Sequence, residues 1–239
     1  MDQVCPRAPA CHHPLVLTAG SDPHDFFIAG CIDYCTENAQ LSSIMAHCTV
    51  GPPAPPTTRP SESHVMFSDD GGESWTMGGS FMPGSGEGSV AEVGSSSPGE
   101  LLFVARRVTG THCTEPAAAH CAAAIRSKDY GEHWDEATDR DLGGLLDPGC
   151  KNTVASVGAA AAARNLLVHA GSHSATARTN VSALFSRDAG ATWGEGVMVW
   201  ESPLVGGYVA VQPVGDAKVG VVFENRTCSI AIGVLDVPE

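Results

Sequence analysis

The chain has 239 residues, enough to bury one sizeable core, and its 13 Lys and Arg against 27 Asp and Glu give a formal charge of −14. That balance excludes nucleic acid and anionic membrane as general partners, so an anionic ligand needs basic residues gathered locally. Hydrophobic content of 43% is ordinary for a soluble protein, no apolar run approaches the ~20 residues that span a bilayer, and no basic stretch followed by an apolar core marks a signal peptide.

From the N-terminus, residues 1–63 read as an irregular, Pro-rich segment. It holds Cys11-His12-His13, a short apolar patch around Phe26 to Ile32, and the tract GPPAPPTTRP from Gly51 to Pro60. The tract reads as loop, because Pro removes donors and pushes its predecessor out of helix. His12 and His13 suit a solvated loop better than a metal site. Nine cysteines, an odd number, do not define a compartment. No CxxC occurs, and Cys31, Cys35, Cys48, Cys113, Cys121, Cys150 and Cys228 lack zinc-site spacing. Two acceptor sequons, Asn180-Val181-Ser182 and Asn225-Arg226-Thr227, suit a secretory or lysosomal route, although such triplets also arise by chance.

From residue 64 to 239 the chain reads as short strands carrying two layers of repetition. The first is the pattern SxDxGxxW, found as SDDGGESW from Ser68 to Trp75, SKDYGEHW from Ser127 to Trp134 and SRDAGATW from Ser186 to Trp193. Its serines, at 68, 127 and 186, stand 59 residues apart, which marks an internal repeat. Ser68, Asp70 and Gly72, with their counterparts Ser127, Asp129, Gly131 and Ser186, Asp188, Gly190, suit a tight turn: short acceptors satisfy its N–H groups and Gly tolerates positive φ. Trp75, Trp134 and Trp193 then open the next strand with a large apolar surface. These residues are structural.

The second layer lies between the boxes. Ser89 to Val93, Thr153 to Val157 and Tyr208 to Gln212 match one another. A more apolar strand follows each, at Leu101 to Arg106, Leu166 to Gly171 and Val219 to Glu224, and then a third around Cys121 to Ser127, Val181 to Ser186 and Cys228 to Leu235. The Ala run at Ala159 to Ala163 has helix propensity but sits between strands, so it reads as a loop. Four antiparallel strands in a repeat of about 60 residues describe a β-propeller blade. The expected fold is all-β, about half of a six-bladed propeller: two complete blades, the end of one before them and most of one after. Aligning the second strands superposes Arg106, Gly171 and Glu224, which predicts that Arg106 and Glu224 lie at one mouth and the boxes elsewhere.

Over residues 64–239 the chain resembles the exo-α-sialidase (neuraminidase) family of Asp-box β-propellers. Glu87-Gly-Ser-Val-Ala-Glu-Val93, then Leu101 to Arg106, looks like the family's catalytic Glu followed by the strand ending in Asn-Ala-Arg; Val104 replaces the Asn, and Arg107 is the alternative to Arg106. Gly171-Ser-His-Ser174 followed by Arg178 looks like the approach to the third arginine of the family's triad. Tyr208 in Gly-Gly-Tyr-Val-Ala-Val matches the nucleophilic Tyr, and Glu224 the Glu that braces the first triad arginine. In Pro148 to Val154, Lys151 replaces a Gln that often follows the family's Cys.

The resemblance implies release of terminal sialic acid from glycoproteins, glycolipids or oligosaccharides, with no cofactor and no metal. Sialic acid carries a carboxylate on its anomeric carbon, which would repel an Asp or Glu nucleophile. A neutral Tyr avoids that penalty, and sialidases depart from the two-carboxylate scheme for this reason. Tyr208, with a pKa ordinarily near ~10, then needs a base, the role implied for Glu87. Arg106 and Arg178 suit the sugar carboxylate because each guanidinium fork binds it bidentately. Taken singly, Glu87 suits a solvated loop, Arg106 a strand rim, Arg178 a surface and Tyr208 a strand; their joint order favours the site.

Two parts of the family pattern have no match. Ahead of Arg106 the arginines are Arg7 and Arg59, neither in an Arg-Ile-Pro strand that would supply the first triad arginine. Asp22, Asp25 and Asp33 are candidates for the general acid, without a flanking motif. The chain therefore reads as the C-terminal half of a sialidase with a diverged or misassigned start. An open ring would expose a strand edge and apolar blade faces, and so favour self-association. The rival readings are a non-catalytic Asp-box propeller acting as a binding scaffold, and a glycosidase of another Asp-box family.

Overall fold

The computed structural model describes residues 18–19, 26–32, 62–68, 74–93, 99–107, 121–157, 166–194, 196–201, 205–215, 217–225 and 229–238. These form fifteen strands in four antiparallel sheets. The first sheet holds β1 (Thr18–Ala19), β2 (Phe26–Ile32), β3 (Glu62–Ser68) and β4 (Thr76–Phe81); the second β5 (Ser85–Glu92), β6 (Leu101–Arg107), β7 (Cys121–Ser127) and β8 (Asp135–Leu146). The third holds β9 (Thr153–Ser156), β10 (Leu167–Ser172), β11 (Val181–Ser186) and β12 (Val197–Trp200), and the fourth β13 (Val205–Pro213), β14 (Lys218–Asn225) and β15 (Ser229–Asp236). Each sheet is a meander whose strands pair in chain order, the blade geometry expected from the repeats.

Two details differ from the sequence reading. The first blade is whole: the apolar patch Phe26–Ile32, inside the stretch read as irregular, pairs along its length with Glu62–Ser68. A β-strand seven residues long without box or flanking repeat gives little sequence signal. The tryptophans also stand just ahead of the outer strands, Trp134 one residue before Asp135 and Trp193 four before Val197. The Pro-rich tract at 51–60, the Ala run at 159–163, and Asp70 and Gly72 of the first box lie outside the described residues.

The blades pack face to face, as alternation along each strand requires. Val65, Phe81, Val90, Phe103 and Ile125 fill the space between the first two blades, where Trp134 stacks on Phe81 at 4.6 Å between centroids. Leu102, Val104, Val154, Leu167 and Leu184 join the second to the third, and Val168, Phe185, Val211, Val221 and Phe223 the third to the fourth. Burying each such side chain fully is worth about 1.5–3 kcal/mol, so the inter-blade faces dominate stability. The inner strands add polar ties: Val154 N–H donates to Ser89 Oγ at 2.6 Å, and Thr153 Oγ1 to the Val209 carbonyl at 2.7 Å. On the fourth blade, Ile230, Ile232 and Val234 alternate outward and are 65%, 70% and 57% exposed.

The two described boxes fold alike. Ser127 Oγ accepts the Gly131 N–H at 2.9 Å and donates to Asp129 Oδ1 at 2.8 Å, while Oδ1 accepts the His133 N–H at 2.9 Å. Ser186, Asp188, Gly190 and Thr192 repeat this at 2.8, 2.8 and 2.8 Å, with Thr192 Oγ1 taking Oδ2 in place of the His133 ring. Burial acts to raise the pKa of Asp129 and Asp188, but these hydrogen bonds outweigh it and hold both carboxyls below the usual range. Gly190 has φ 79°, and a Cβ there would lie 2.5 Å from Leu102 Cδ2, whereas Gly215 has φ 72° and open space around it. Gly215→Ala should therefore cost about 1 kcal/mol in backbone strain alone, and Gly190→Ala about 2–4 kcal/mol because overpacking is added. Thermal midpoints of the two variants check this, at about 2–4 °C per kcal/mol.

His169 on β10 is buried against Trp193, with ring centroids 5.8 Å apart, and neither ring nitrogen has a hydrogen-bond partner among the described residues. Burial, helped by neighbouring His173, pushes its pKa from 6.5 to about 3. Unfolding lets the ring take up a proton, so this contribution to stability is complete above pH 6.5 and is lost as pH falls toward 3. At its steepest the loss is about 1.4 kcal/mol per pH unit. Half-buried His173 is shifted downward too and adds to it. Thermal melts between pH 7 and pH 5 should show a shallower dependence for His169→Leu than for the parent.

Candidate active site

The box turns leave the sheets at the end where Leu101 pairs with Ser127 and Leu167 with Ser186. At the opposite end Arg106 pairs with Ala122, and the loop from His173 to Asn180 carries Arg178. The sequence expected Arg106 and Glu224 at a mouth away from the boxes, and the register places them so.

Two of the inner strands break register at this mouth. In β5, Ser85 pairs with Arg107 and Gly88 with Ala105, so Gly86 and Glu87 oppose Arg106 alone. In β13, Val205 pairs with Asn225 and Val209 with Phe223, so the stretch ending in Tyr208 opposes Glu224 alone. Bulges bend a strand and re-aim its side chains, and glycines beside Glu87 and Tyr208 make them affordable. Gly88 admits nothing larger: a Cβ would lie 2.5 Å from the Val104 carbonyl and 2.6 Å from the Phe103 ring.

The bulged residues meet. Tyr208 makes a side-chain hydrogen bond to Glu87. Glu87 Oε2 lies 2.9 Å from Arg106 Nη2, and the guanidinium's Nη1 donates to the Gly149 carbonyl at 3.0 Å. Arg178 Cζ stands 5.6 Å from the centroid of the Tyr208 ring, a cation–π arrangement. Glu224 Oε2 accepts the Tyr208 N–H at 3.3 Å. Burial and the negative Glu87 push the Tyr208 pKa well above the ordinary phenol range, against the opposing pull of Arg106 and Arg178, so the phenol keeps its proton. Thus Glu87, Arg106, Arg178, Tyr208 and Glu224 converge.

Arg107, the alternative to Arg106, turns the other way. It is 1% exposed, pairs with Asp139 and donates to the Pro83 carbonyl at 2.9 Å. Arg7, Arg59, Asp22, Asp25 and Asp33 lie outside the described residues.

Sequence reasoning missed Asp147. Its buried carboxylate accepts N–H groups from Gly149 at 2.7 Å and Cys150 at 2.8 Å through Oδ1, and the Asn152 amide at 2.6 Å through Oδ2. That ties down the turn whose Gly149 carbonyl holds Arg106. The available signal was Asp147-Pro-Gly, a turn tripeptide directly ahead of a strand. Burial raises the pKa of Asp147 and pushes the Cys150 thiol up to about 11, so the thiol stays protonated. Among the described residues one group has the make-up of a metal site, Asp129, Glu132 and His133, with ligand atoms within 4.8 Å of one another. It belongs to an exposed box turn at the far end of the sheets, where Asp129 Oδ2 is already 2.7 Å from His133 Nδ1.

These blades and their boxes define an Asp-box β-propeller of the sialidase type. Residues 40–225 match the BNR repeat-like domain, and the chain belongs to that family. A sialidase from Bacteroides fragilis (strain YCH46) is 27% identical over 172 residues, covering 71% of this chain and 29% of the relative. Among solved structures, the Hadza microbial sialidase Hz136 matches with a TM-score of 0.61 at 22% identity, over 74% of this chain and 32% of that one. The NanB sialidase from Streptococcus pneumoniae matches with a TM-score of 0.61 at 15% identity, over 92% of this chain and 30% of that one. The chain thus spans 29%, 32% and 30% of the lengths of these three relatives.

The opposite environments of the adjacent arginines separate fold from site. Arg107→Ala should cost about 3–5 kcal/mol, because it strands the Asp139 carboxylate. Arg106→Ala should cost the fold less, since the Arg106 side chain is 17% exposed against 1% for Arg107 and less buried packing is lost with it. Denaturant titration of both variants measures the difference.

Proposed function

We propose that this chain carries the nucleophile and carboxylate clamp of an exo-α-sialidase, a glycoside hydrolase that releases terminal sialic acid from glycoproteins, glycolipids or oligosaccharides. The observation that carries the reading is the hydrogen bond between Tyr208 and Glu87 beside two guanidinium groups. A buried phenol that keeps its proton is a poor nucleophile unless a base takes that proton as the new bond forms. In the proposed step Glu87 accepts the proton, Tyr208 Oη bonds to the anomeric carbon, and the glycosidic bond breaks. The departing oxygen takes a proton from a general acid, for which Asp22, Asp25 and Asp33 remain the candidates. Arg106 and Arg178 hold the sugar carboxylate, each charge-assisted hydrogen bond contributing on the order of 1.5–3 kcal/mol. Glu224 supports the Tyr208 backbone.

The second reading is a binding scaffold, favoured by the buried Tyr208 phenol, whose raised pKa keeps it protonated and a poor nucleophile. In either reading the outward row Ile230, Ile232 and Val234 supports association of the fourth blade with another apolar surface, including a second copy.

An activated fluorogenic sialoside and free sialic acid test the two together. We expect weak turnover by this chain and stronger turnover by a version extended upstream, abolished in either by Tyr208→Phe and reduced ~10²- to 10⁴-fold by Glu87→Gln. Turnover insensitive to both substitutions would sink the catalytic reading. Arginine-dependent binding of free sialic acid without turnover by either version would select the scaffold.

A further inference from the structure

The bulge that aims Glu87 is supported from another blade. Ser63 on β3 and Ser85 on β5 are both fully buried, and their hydroxyl oxygens lie 2.6 Å apart. Ser63 Oγ also donates to the Gly86 carbonyl at 2.9 Å. A hydroxyl carries one hydrogen, so with that hydrogen on Gly86 the donor of the serine pair is Ser85. The bonds thus run from Ser85 through Ser63 to the carbonyl of the residue just before Glu87.

That carbonyl needs its donor. Gly86 and Glu87 together oppose Arg106, and a bulge of this kind takes a residue out of the ladder with the neighbouring strand. Gly86 is buried, where a backbone carbonyl is rarely left unpaired. The flanks of the bulge are held by other means: Ser85 N–H donates to the Met82 carbonyl at 3.1 Å, Arg107 Nη1 holds the Pro83 carbonyl, and Gly88 packs too closely against Val104 and Phe103 to admit a Cβ. Gly86 has no Cβ to limit its backbone, which makes the Gly86–Glu87 peptide the loosest joint of the segment. Tyr208 has a similar support, since Thr153 Oγ1 on the third blade donates to the carbonyl of Val209, the residue just after it on the fourth. Glu87 and Tyr208 each stand beside a carbonyl held by a buried hydroxyl of the preceding blade.

We propose that Ser63 is a positioning residue for Glu87: its hydroxyl fixes the Gly86–Glu87 peptide and so sets the carboxylate at hydrogen-bond distance from Tyr208 and beside Arg106. That Glu87 acts as a base rests on the sialidase reading; that Ser63 sets its position does not. The first blade then shapes the site without touching a ligand. A swing of this peptide displaces the carboxylate at the end of the side chain, and a misplacement of ~1 Å can cost ~10²-fold in rate.

The hydrogen bond between Tyr208 and Glu87 is the direct readout. Labelling with carbon-13 at Cζ gives one resonance for each of the three tyrosines, and Tyr208→Phe identifies the one wanted. Ser63→Ala should move the Tyr208 resonance toward its position in Glu87→Gln, and should add nothing in the Glu87→Gln background. Ser85→Ala, which keeps the bond from Ser63 to Gly86, should move it less. Ser156→Ala, which removes a hydroxyl from the Glu92 carbonyl at the far end of β5, should leave it in place. With the activated sialoside, Ser63→Ala should lower kcat ~10- to 10²-fold and change KM less. An unmoved resonance in Ser63→Ala, equal movement in Ser156→Ala, or failure of Ser63→Ala to fold by circular dichroism would overturn the proposal. Turnover insensitive to Tyr208→Phe and Glu87→Gln, with the resonance shifts as expected, would sink the sialidase reading and leave the positioning role standing.

Discussion

A carboxylate buried between blades must find its hydrogen bonds inside the protein, and Asp147 finds three within its own turn. Much of the site follows from that requirement. The turn it closes presents the Gly149 carbonyl to Arg106 and leads into β9 at Thr153, whose hydroxyl ties to Val209 beside Tyr208. One acceptor group thus relates residues contributed by three blades. Its raised pKa shows the constraint from the other side: desolvation outweighs the hydrogen bonds, so the carboxylate is held at an electrostatic cost that the surrounding order offsets.

The strand pattern and the boxes were legible in the sequence because their cause is local. Ser127, Asp129 and Gly131 close their turn with one another, as Ser186, Asp188 and Gly190 do, so the same residues give the same geometry wherever they recur. Inner and middle strands such as Leu101–Arg107 and Val181–Ser186 read directly from apolar runs bounded by turn residues. What stayed hidden depends on pairing partners far along the chain. Phe26–Ile32 becomes a blade strand only because Glu62–Ser68 lies beside it, and nothing near Phe26 announces that.

The site divides along the same line. Tyr208, Glu87, Arg106, Arg178 and Glu224 were recognisable from their order and flanking motifs. The bulges that aim Glu87 and Tyr208 were visible only as glycines, and a glycine in a strand does not say which side of the register slips. Arg106 and Arg107 were separable only by geometry, since neighbouring residues on a strand point to opposite faces. Asp147 escaped because the tripeptide Asp147-Pro148-Gly149 announces a turn but not that its carboxylate braces the carbonyl that holds Arg106.

The way the blades are stacked has a consequence for how the fold is lost. Each inner blade shares apolar clusters with the blade before and the blade after, whereas the described apolar packing of the fourth is with the third, through Val199, Ala231 and Leu235 on one face. Stability in such a stack is passed between neighbours and is not held in one common centre. Local opening therefore follows the seams between blades. The strand pair that carries Glu224 and Tyr208 belongs to that terminal sheet. Tyr208 and Glu87 thus sit on opposite sides of the seam between the third and fourth blades, and whatever covers Ile230, Ile232 and Val234 also steadies the distance between them.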